Sequence, residues 1–246
     1  MLPLTVQPLA VPRMLPACLG FVAGFIDACT FFALFHLFVA QVTGSFVVAG
    51  GHFSGLDETM LVPVLAIPTF FLMGLGTRLL LAWFGRTGWT ALTAALAVEL
   101  ALVVAFFVVG IIGAPFVDAN TPLAVVSSLL GISAMGVQSA LVRLLMRGVA
   151  STNVMTTNTT QLAIDAAEWL IASHCKRVMP DDPGVQADYA AIRGRFTGLF
   201  SIMAGFLGGT IGGALGYRWF GLSCLIGAIA ILAGAVGYCA WRAIQR

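Results

Sequence analysis

Six long apolar segments constrain this chain more than any other feature of its sequence. An α-helix needs about 20 apolar residues to cross the hydrocarbon core of a bilayer. Runs of that length lie at about 14–35, 60–84, 89–114, 122–142, 196–217 and 219–241. The strand alternation of a membrane barrel is absent. The sequence therefore predicts an all-α, polytopic membrane protein with six transmembrane helices, forming a single transmembrane domain over residues 1–246.

The composition excludes most soluble classes of protein. Of the 246 residues, 60% are apolar and 9% are charged, whereas a soluble domain typically has about 45–50% and about 25%. Too few charges are present to cover a surface in water. The net charge of +2 is also too small to indicate a nucleic-acid partner, so the expected surroundings are a lipid bilayer.

Two further segments leave their membrane placement open. Residues 39–50 are short and apolar, whereas residues 153–173 are polar at their start and include Asp165 and Glu168. Each could be a re-entrant half-helix, an interfacial helix or a full crossing. We expect short half-helices after the first and fourth transmembrane helices. The clearly hydrophilic stretch, about 174–195, is predicted to be a loop.

The distribution of cations predicts the orientation. If each of the six long segments crosses once, eleven of the 12 Lys and Arg residues lie on the side of the two termini, and Arg218 alone lies on the other side. Arg78 and Arg143 can sit inside helices, which still leaves nine cations against one. Because cytoplasmic loops carry the excess of Lys and Arg, both termini are expected in the cytoplasm.

Three short motifs recur in the same order along the chain and indicate an internal duplication. The pairs are Ala23–Ala28 with Met135–Ala140, Gln41–Ser45 with Val154–Asn158, and Trp83–Gly85 with Trp219–Gly221. The larger offset of the third pair matches an insertion of about the length of the hydrophilic stretch. Each half, about 14–114 and 122–241, holds three crossings. An odd number of crossings gives the halves opposite orientations, as in the inverted repeats of many transporters.

The same motifs resemble those of the YoaK family of bacterial membrane proteins. The resemblance lies in Phe21–Ala28, Val42–Ser45, Gly136–Arg143 and Asn153–Asn158, and it extends over about 15–241. The family consists of small six-helix proteins assigned to a domain of unknown function. The resemblance thus implies a multi-pass protein of the bacterial inner membrane, and it implies no particular activity.

The two Thr-containing motifs are the best candidates for a binding site. Hydroxyl and amide side chains just before a helix cap its free N–H groups. If both helices start inside the membrane, their positive ends face a cavity between the halves, which favours an anion or a strongly hydrogen-bonding solute. The alternative is that both motifs merely cap interfacial helices. The candidate substrate-binding residues are Asp27, Gln41, Thr43, Ser45, Gln138, Thr156 and Asn158.

Two acidic residues lie inside apolar segments. An ionisable group at such a position is costly in lipid and indicates a functional role by default. Asp27 is either part of the site or a structural hydrogen-bond acceptor. Glu99 is either a proton site or an ion-pair partner of Arg78 or Arg143.

Glycines at fourfold spacing in the fifth apolar segment predict close packing of helices. Gly205, Gly209 and Gly213 form one such row, and small residues at this spacing let helix backbones approach closely. Packing within the subunit, with Gly20 and Gly24 as partners, is favoured over the seam of a homo-oligomer, which stays open.

Catalytic signatures are missing, and the five cysteines are scattered without paired spacing. We therefore expect no enzyme, no cofactor, no metal site and no disulfide framework. The favoured function is transport of a small polar or anionic solute through a site between the inverted repeats. The alternatives are a scaffold or accessory protein without transport and an intramembrane enzyme.

Overall fold

Apolar sequence and helical structure coincide over most of the chain. The computed structural model describes residues 9–55, 61–84, 88–146 and 148–245. Within them the chain forms eight α-helices and no β-sheet. The helices are α1 (Met14–Ala33), α2 (Val42–Phe53), α3 (Val62–Phe84), α4 (Gly88–Gly113), α5 (Pro122–Leu145), α6 (Met155–Val178), α7 (Pro183–Phe220) and α8 (Leu225–Ile244), and a short 3-10 helix (Gly221–Cys224) joins the last two.

Five stretches of helix are long and apolar enough to cross a membrane. Four of them correspond to α1, α3, α4 and α5, and the fifth runs over Pro183–Ile244 and contains both α7 and α8. At 1.5 Å per residue, α8 is about 30 Å long and α7 about 57 Å. The chain is therefore a multi-pass helical membrane protein.

Helices α1 and α7 pack backbone against backbone along a row of glycines, which confirms the predicted intramolecular role of the glycine row. A Cβ built on Gly209 would collide with the carbonyl oxygen of Phe21, and one built on Gly213 would lie 2.5 Å from the carbonyl oxygen of Phe25. Gly20 allows the same close approach from the α1 side. Going along α7 from Gly209 to Gly213, the contacted residue of α1 changes from Phe21 to Phe25. The two helices are therefore parallel.

Helices α5 and α8 both contact α1, and α3 and α4 pack against these two. Helix α3 packs on α5, and the amide of Leu61 donates to Asn120 Oδ1 at 3.1 Å where both helices begin. Helix α4 lies between α5 and α8. Trp89 at the start of α4 meets Tyr238 near the end of α8, which makes these two helices antiparallel. The core between them is apolar and fully buried, with Leu92, Leu96 and Phe106 among its members.

The predicted hydrophilic loop at 174–195 is helical except for residues 179–182. Helix α6 and the first part of α7 form an antiparallel hairpin in which the ring of Trp169 stacks on Phe196 at 5.3 Å between centroids. The ammonium of Lys176 lies 4.1 Å from the centroid of the Tyr189 ring. These contacts between helices stabilise polar sequence as helix, since a polar helix in water depends on tertiary packing.

Candidate functional site

The connection between α1 and α2 folds back against α1 and is held there by Asp27. This carboxylate is buried, and its Oδ1 accepts hydrogen bonds from the amides of Val39 and Ala40, both at 2.8 Å. Asp27 lies six residues before the end of α1, which corresponds to about 9 Å along the helix. The chain therefore folds back alongside α1 before α2 begins, and we call such a fold-back, with the helix start that follows it, a re-entrant segment.

The connection between α5 and α6 folds back in the same way, held by Gln138. The buried amide nitrogen of Gln138 lies 2.8 Å from Thr152 Oγ1 and 3.0 Å from the carbonyl oxygen of Leu19. Asn153 Nδ2 donates in turn to the carbonyl oxygen of Met135 at 3.2 Å. Met135 lies ten residues before the end of α5, about 15 Å along the helix, so α6 also begins within the length of its neighbour.

The two Thr motifs lie inside the first turns of α2 and α6 instead of before them, so the expected capping role is wrong for the second motif. Helix α6 starts at Met155, and its N-cap residue, Val154, makes no capping hydrogen bond with its side chain. Asn158 instead turns back and donates from Nδ2 to the carbonyl oxygen of Ser151 at 2.6 Å. Among the described residues, no side chain therefore caps the first N–H groups of α6.

Corresponding residues of the two motifs have corresponding exposure. Ser45 and Asn158 are buried, whereas Thr43 and Thr156 are exposed. Gln41 is half-buried. The match follows the spacing of 113 residues that relates the two motifs in the sequence.

Two adjoining cavities lie beside the second re-entrant segment, and together we call them the arginine pocket. The first, of about 390 Å³, lies between α6, α7 and the residues that lead into α1. The second, of about 650 Å³, lies between the end of α5 and the start of α6. They share the connection 148–150 and the side chain of Gln161.

Three arginines line this pocket from three distant parts of the chain. Arg13 and Arg195 border the first cavity, and Arg143 borders the second. Arg195 forms ion pairs with Asp165, at 3.7 Å, and with Glu168. The side chains of Arg13 and Arg143 form no hydrogen bond or ion pair with other described residues. The pocket therefore has two arginines that are available to a ligand and one that is held by the protein itself.

Of the seven predicted site residues, Asn158 alone borders the arginine pocket. Gln138 lies next to it, since its neighbour Ser139 lines the second cavity. The four residues of the first half, Asp27, Gln41, Thr43 and Ser45, border neither cavity. The structure therefore brings the second motif to the pocket and leaves the first motif elsewhere.

Nothing in the sequence marks the three arginines, Gln161 and Asp165 as residues of one pocket. Asp165 is buried, and its Oδ1 accepts a hydrogen bond from Gln161 Nε2 at 3.0 Å. A polar pair one helical turn apart at the start of an ambiguous segment was the available signal. The partner, Arg195, lies in the stretch that was expected to be a loop.

Glu99 is fully buried in α4, and neither of its carboxylate oxygens has a hydrogen-bond partner among the described residues. The expected ion pair with Arg78 or Arg143 is not formed by this carboxylate. Within the same described ranges, no group of three or more His, Cys, Asp or Glu residues lies together as a metal site would require.

The long apolar helices define a multi-pass membrane protein. A family model described as "Protein of unknown function (DUF1275)" matches residues 15–238, and the chain belongs to this family. The resemblance to the YoaK family is consistent with that membership. Neither the curated proteins nor the solved structures gave a match.

Proposed function

We propose that this chain is a transporter of a small anionic solute, built from two inverted three-helix repeats. The pattern of packing supports the duplication. Helix α1 of the first half packs on α7 of the second, and α5 of the second half packs on α3 of the first. The re-entrant helices follow the same rule, with α2 on α3 and α6 on α7. Each of these contacts therefore has an equivalent contact when every helix is replaced by its counterpart in the other half.

The direction of the helices supports the inversion. The first helices of the two halves, α1 and α5, run antiparallel. Leu19 in α1 contacts Gln138 in α5. Further along α1, Asp27 binds Val39, and Val39 lies against Gly131, an earlier residue of α5. Two such halves around a central site are a common plan for secondary transporters, in which broken or re-entrant helices supply the binding groups.

The excess of Lys and Arg on the side of the termini supports a cytoplasmic location for both ends. The arginine pocket belongs to the same side, because it is bordered by Arg13 just before α1 and by the end of α5. The pocket is then the cytoplasmic mouth of the transport route, in the inner membrane of a bacterial cell.

The arginine pocket is the observation that carries the choice of an anionic solute. Arg13 and Arg143 are without an ion-pair partner in the described part of the chain, and guanidinium groups bind carboxylate and phosphate oxygens with paired hydrogen bonds. The uncapped start of α6 borders the second cavity at Val154 and Thr157. Its N–H groups and helix dipole also favour negative charge.

The test is uptake of small anions by vesicles that contain the purified protein. Phosphate, sulfate, acetate and lactate are offered one at a time, and uptake is compared with that of protein-free vesicles. We expect at least one of these anions to enter the protein-containing vesicles faster than the protein-free vesicles. We expect Arg143→Gln to reduce its uptake about tenfold or more, since a hydrogen bond to a charged group contributes about 1.5–3 kcal/mol.

Arg218→Gln is the matched control. It removes the same charge from α7, 16 residues beyond Ile202, the last pocket residue of that helix, and therefore about 24 Å away. Its uptake should equal that of the wild type. If folded wild-type protein moves none of these anions, or if both variants lose uptake equally, the transport proposal is wrong and the scaffold alternative leads.

A further inference from the structure

Two cysteine thiols from distant parts of the chain meet at one end of the helix bundle. Cys29 Sγ and Cys224 Sγ are 3.4 Å apart, although 195 positions separate the residues in the sequence. Cys29 is fully buried in α1, and its thiol also lies 3.8 Å from the carbonyl oxygen of Gly213. Cys224 ends the 3-10 helix between α7 and α8 and is half-buried.

The absence of a side chain at Gly216 allows this meeting. A Cβ at Gly216 would lie 2.9 Å from the Cβ of Cys224 and 3.5 Å from its sulfur. Without that carbon, the turn that carries Cys224 settles onto α7 and directs the thiol towards α1. A disulfide requires a sulfur–sulfur distance of about 2.05 Å, so the two sulfurs need to approach by about 1.4 Å.

We propose that Cys29 and Cys224 are a redox-active pair that forms a reversible disulfide. Cys224 is the more accessible thiol and reacts first. Its thiolate attacks a disulfide donor, forms a mixed disulfide and releases one donor thiol. The Cys29 thiolate then attacks Cys224 Sγ and displaces the second donor thiol. The net reaction converts one donor disulfide and two protein thiols into one protein disulfide and two donor thiols.

The location of the pair fits this chemistry. The turn between α7 and α8 lies at the opposite end of α7 from the arginine pocket. On the orientation given under the proposed function, this turn faces the periplasm. Disulfides form and persist in that compartment, whereas they are rare in the cytoplasm. The bond would join α1 of the first half to the turn of the second half, and it would hold the two halves together at that end.

The experiment is a thiol map of the full-length protein in detergent. Samples are incubated with oxidised glutathione or with dithiothreitol, denatured, alkylated and analysed by peptide mass spectrometry. We expect the oxidised sample to lose alkylation at Cys29 and Cys224 and to contain their cross-linked peptides. Cys18, Cys175 and Cys239 should stay alkylated, and dithiothreitol should restore the other two.

Two variants separate a true bridge from unspecific oxidation. Cys29→Ser should abolish the cross-link and leave Cys224 alkylated or carrying glutathione, whereas Cys239→Ser, also fully buried in the wild type, should leave the cross-link unchanged. Alkylation of all five cysteines after oxidation, or a cross-link that involves any other pair, would overturn the proposal. The measurement reads mass and needs no uptake assay, so its failure is separate from failure of the transport proposal.

Discussion

The glycine contact between α1 and α7 makes a sharp prediction for Gly209→Ala. The added methyl group would meet three backbone atoms of Phe21: its carbonyl oxygen, its carbonyl carbon at 2.7 Å and its Cα at 2.9 Å. Backbone atoms inside a helix cannot rotate away, so the two helices must separate. Overpacking of this kind costs about 1–3 kcal/mol, and the interface depends on close van der Waals contact.

Gly212→Ala is the matched control on the same helix. Its methyl group would lie 3.5 Å from the ring of Phe21 and 3.7 Å from the ring of Phe25, which are ordinary contacts with side chains. We expect the unfolding free energy of Gly209→Ala to fall by about 1–3 kcal/mol, a change of about 5- to 150-fold in the equilibrium constant. Gly212→Ala should stay near the wild type. Titration with a denaturing detergent, followed by helical circular dichroism, measures both. Equal stability of the two variants would refute the packing of α7 against α1.

The remaining predictions concern the first re-entrant segment and the orientation. Asp27→Asn keeps an oxygen that can accept from the amides of Val39 and Ala40 and should stay within about 1 kcal/mol of the wild type, whereas Asp27→Ala leaves two buried donors unpaired at about 1–3 kcal/mol each; the same detergent titration compares them, and equal losses would contradict the anchoring role. A reporter that is active only in the cytoplasm should be active at the C terminus and inactive when inserted between α4 and α5. The reverse pattern would refute both the orientation and the assignment of the arginine pocket to the cytoplasmic side.

The helices were predictable where one property decides their formation. Each long apolar run satisfies its own backbone and faces lipid or other helices, so hydropathy alone locates it. Hydropathy did not predict the helices around Lys176 and Tyr189, because it reports burial in lipid. It does not report helix formation in a polar hairpin. There the helix is stabilised by contacts across α6 and α7, which no local pattern contains.

The candidate site was predictable only in part, for a similar reason. Gln138 and Asn158 stood out because polar side chains recur at related places in the two halves, and both lie at or beside the arginine pocket. From the sequence, Arg13 and Arg195 stood out only through the cation count that predicts orientation, and Arg143 stood out through that count and as an ion-pair candidate for Glu99. Their meeting depends on how the residues before α1, the end of α5 and the start of α7 come together in space.

The two halves hold their re-entrant segments with opposite hydrogen-bonding chemistry, and this difference bears on where a solute binds. In the first half the carboxyl group of Asp27 accepts from the backbone amides of Val39 and Ala40, so these donors just before α2 are already occupied. In the second half a neutral amide, Gln138, donates to oxygen atoms and brings no charge to the start of α6. An anion is therefore opposed by a fixed acceptor in the first half and meets two unpaired arginines in the second. The packing of the helices is symmetric, but the unpaired arginines favour α6 over α2 as the place where the proposed transporter would bind an anion.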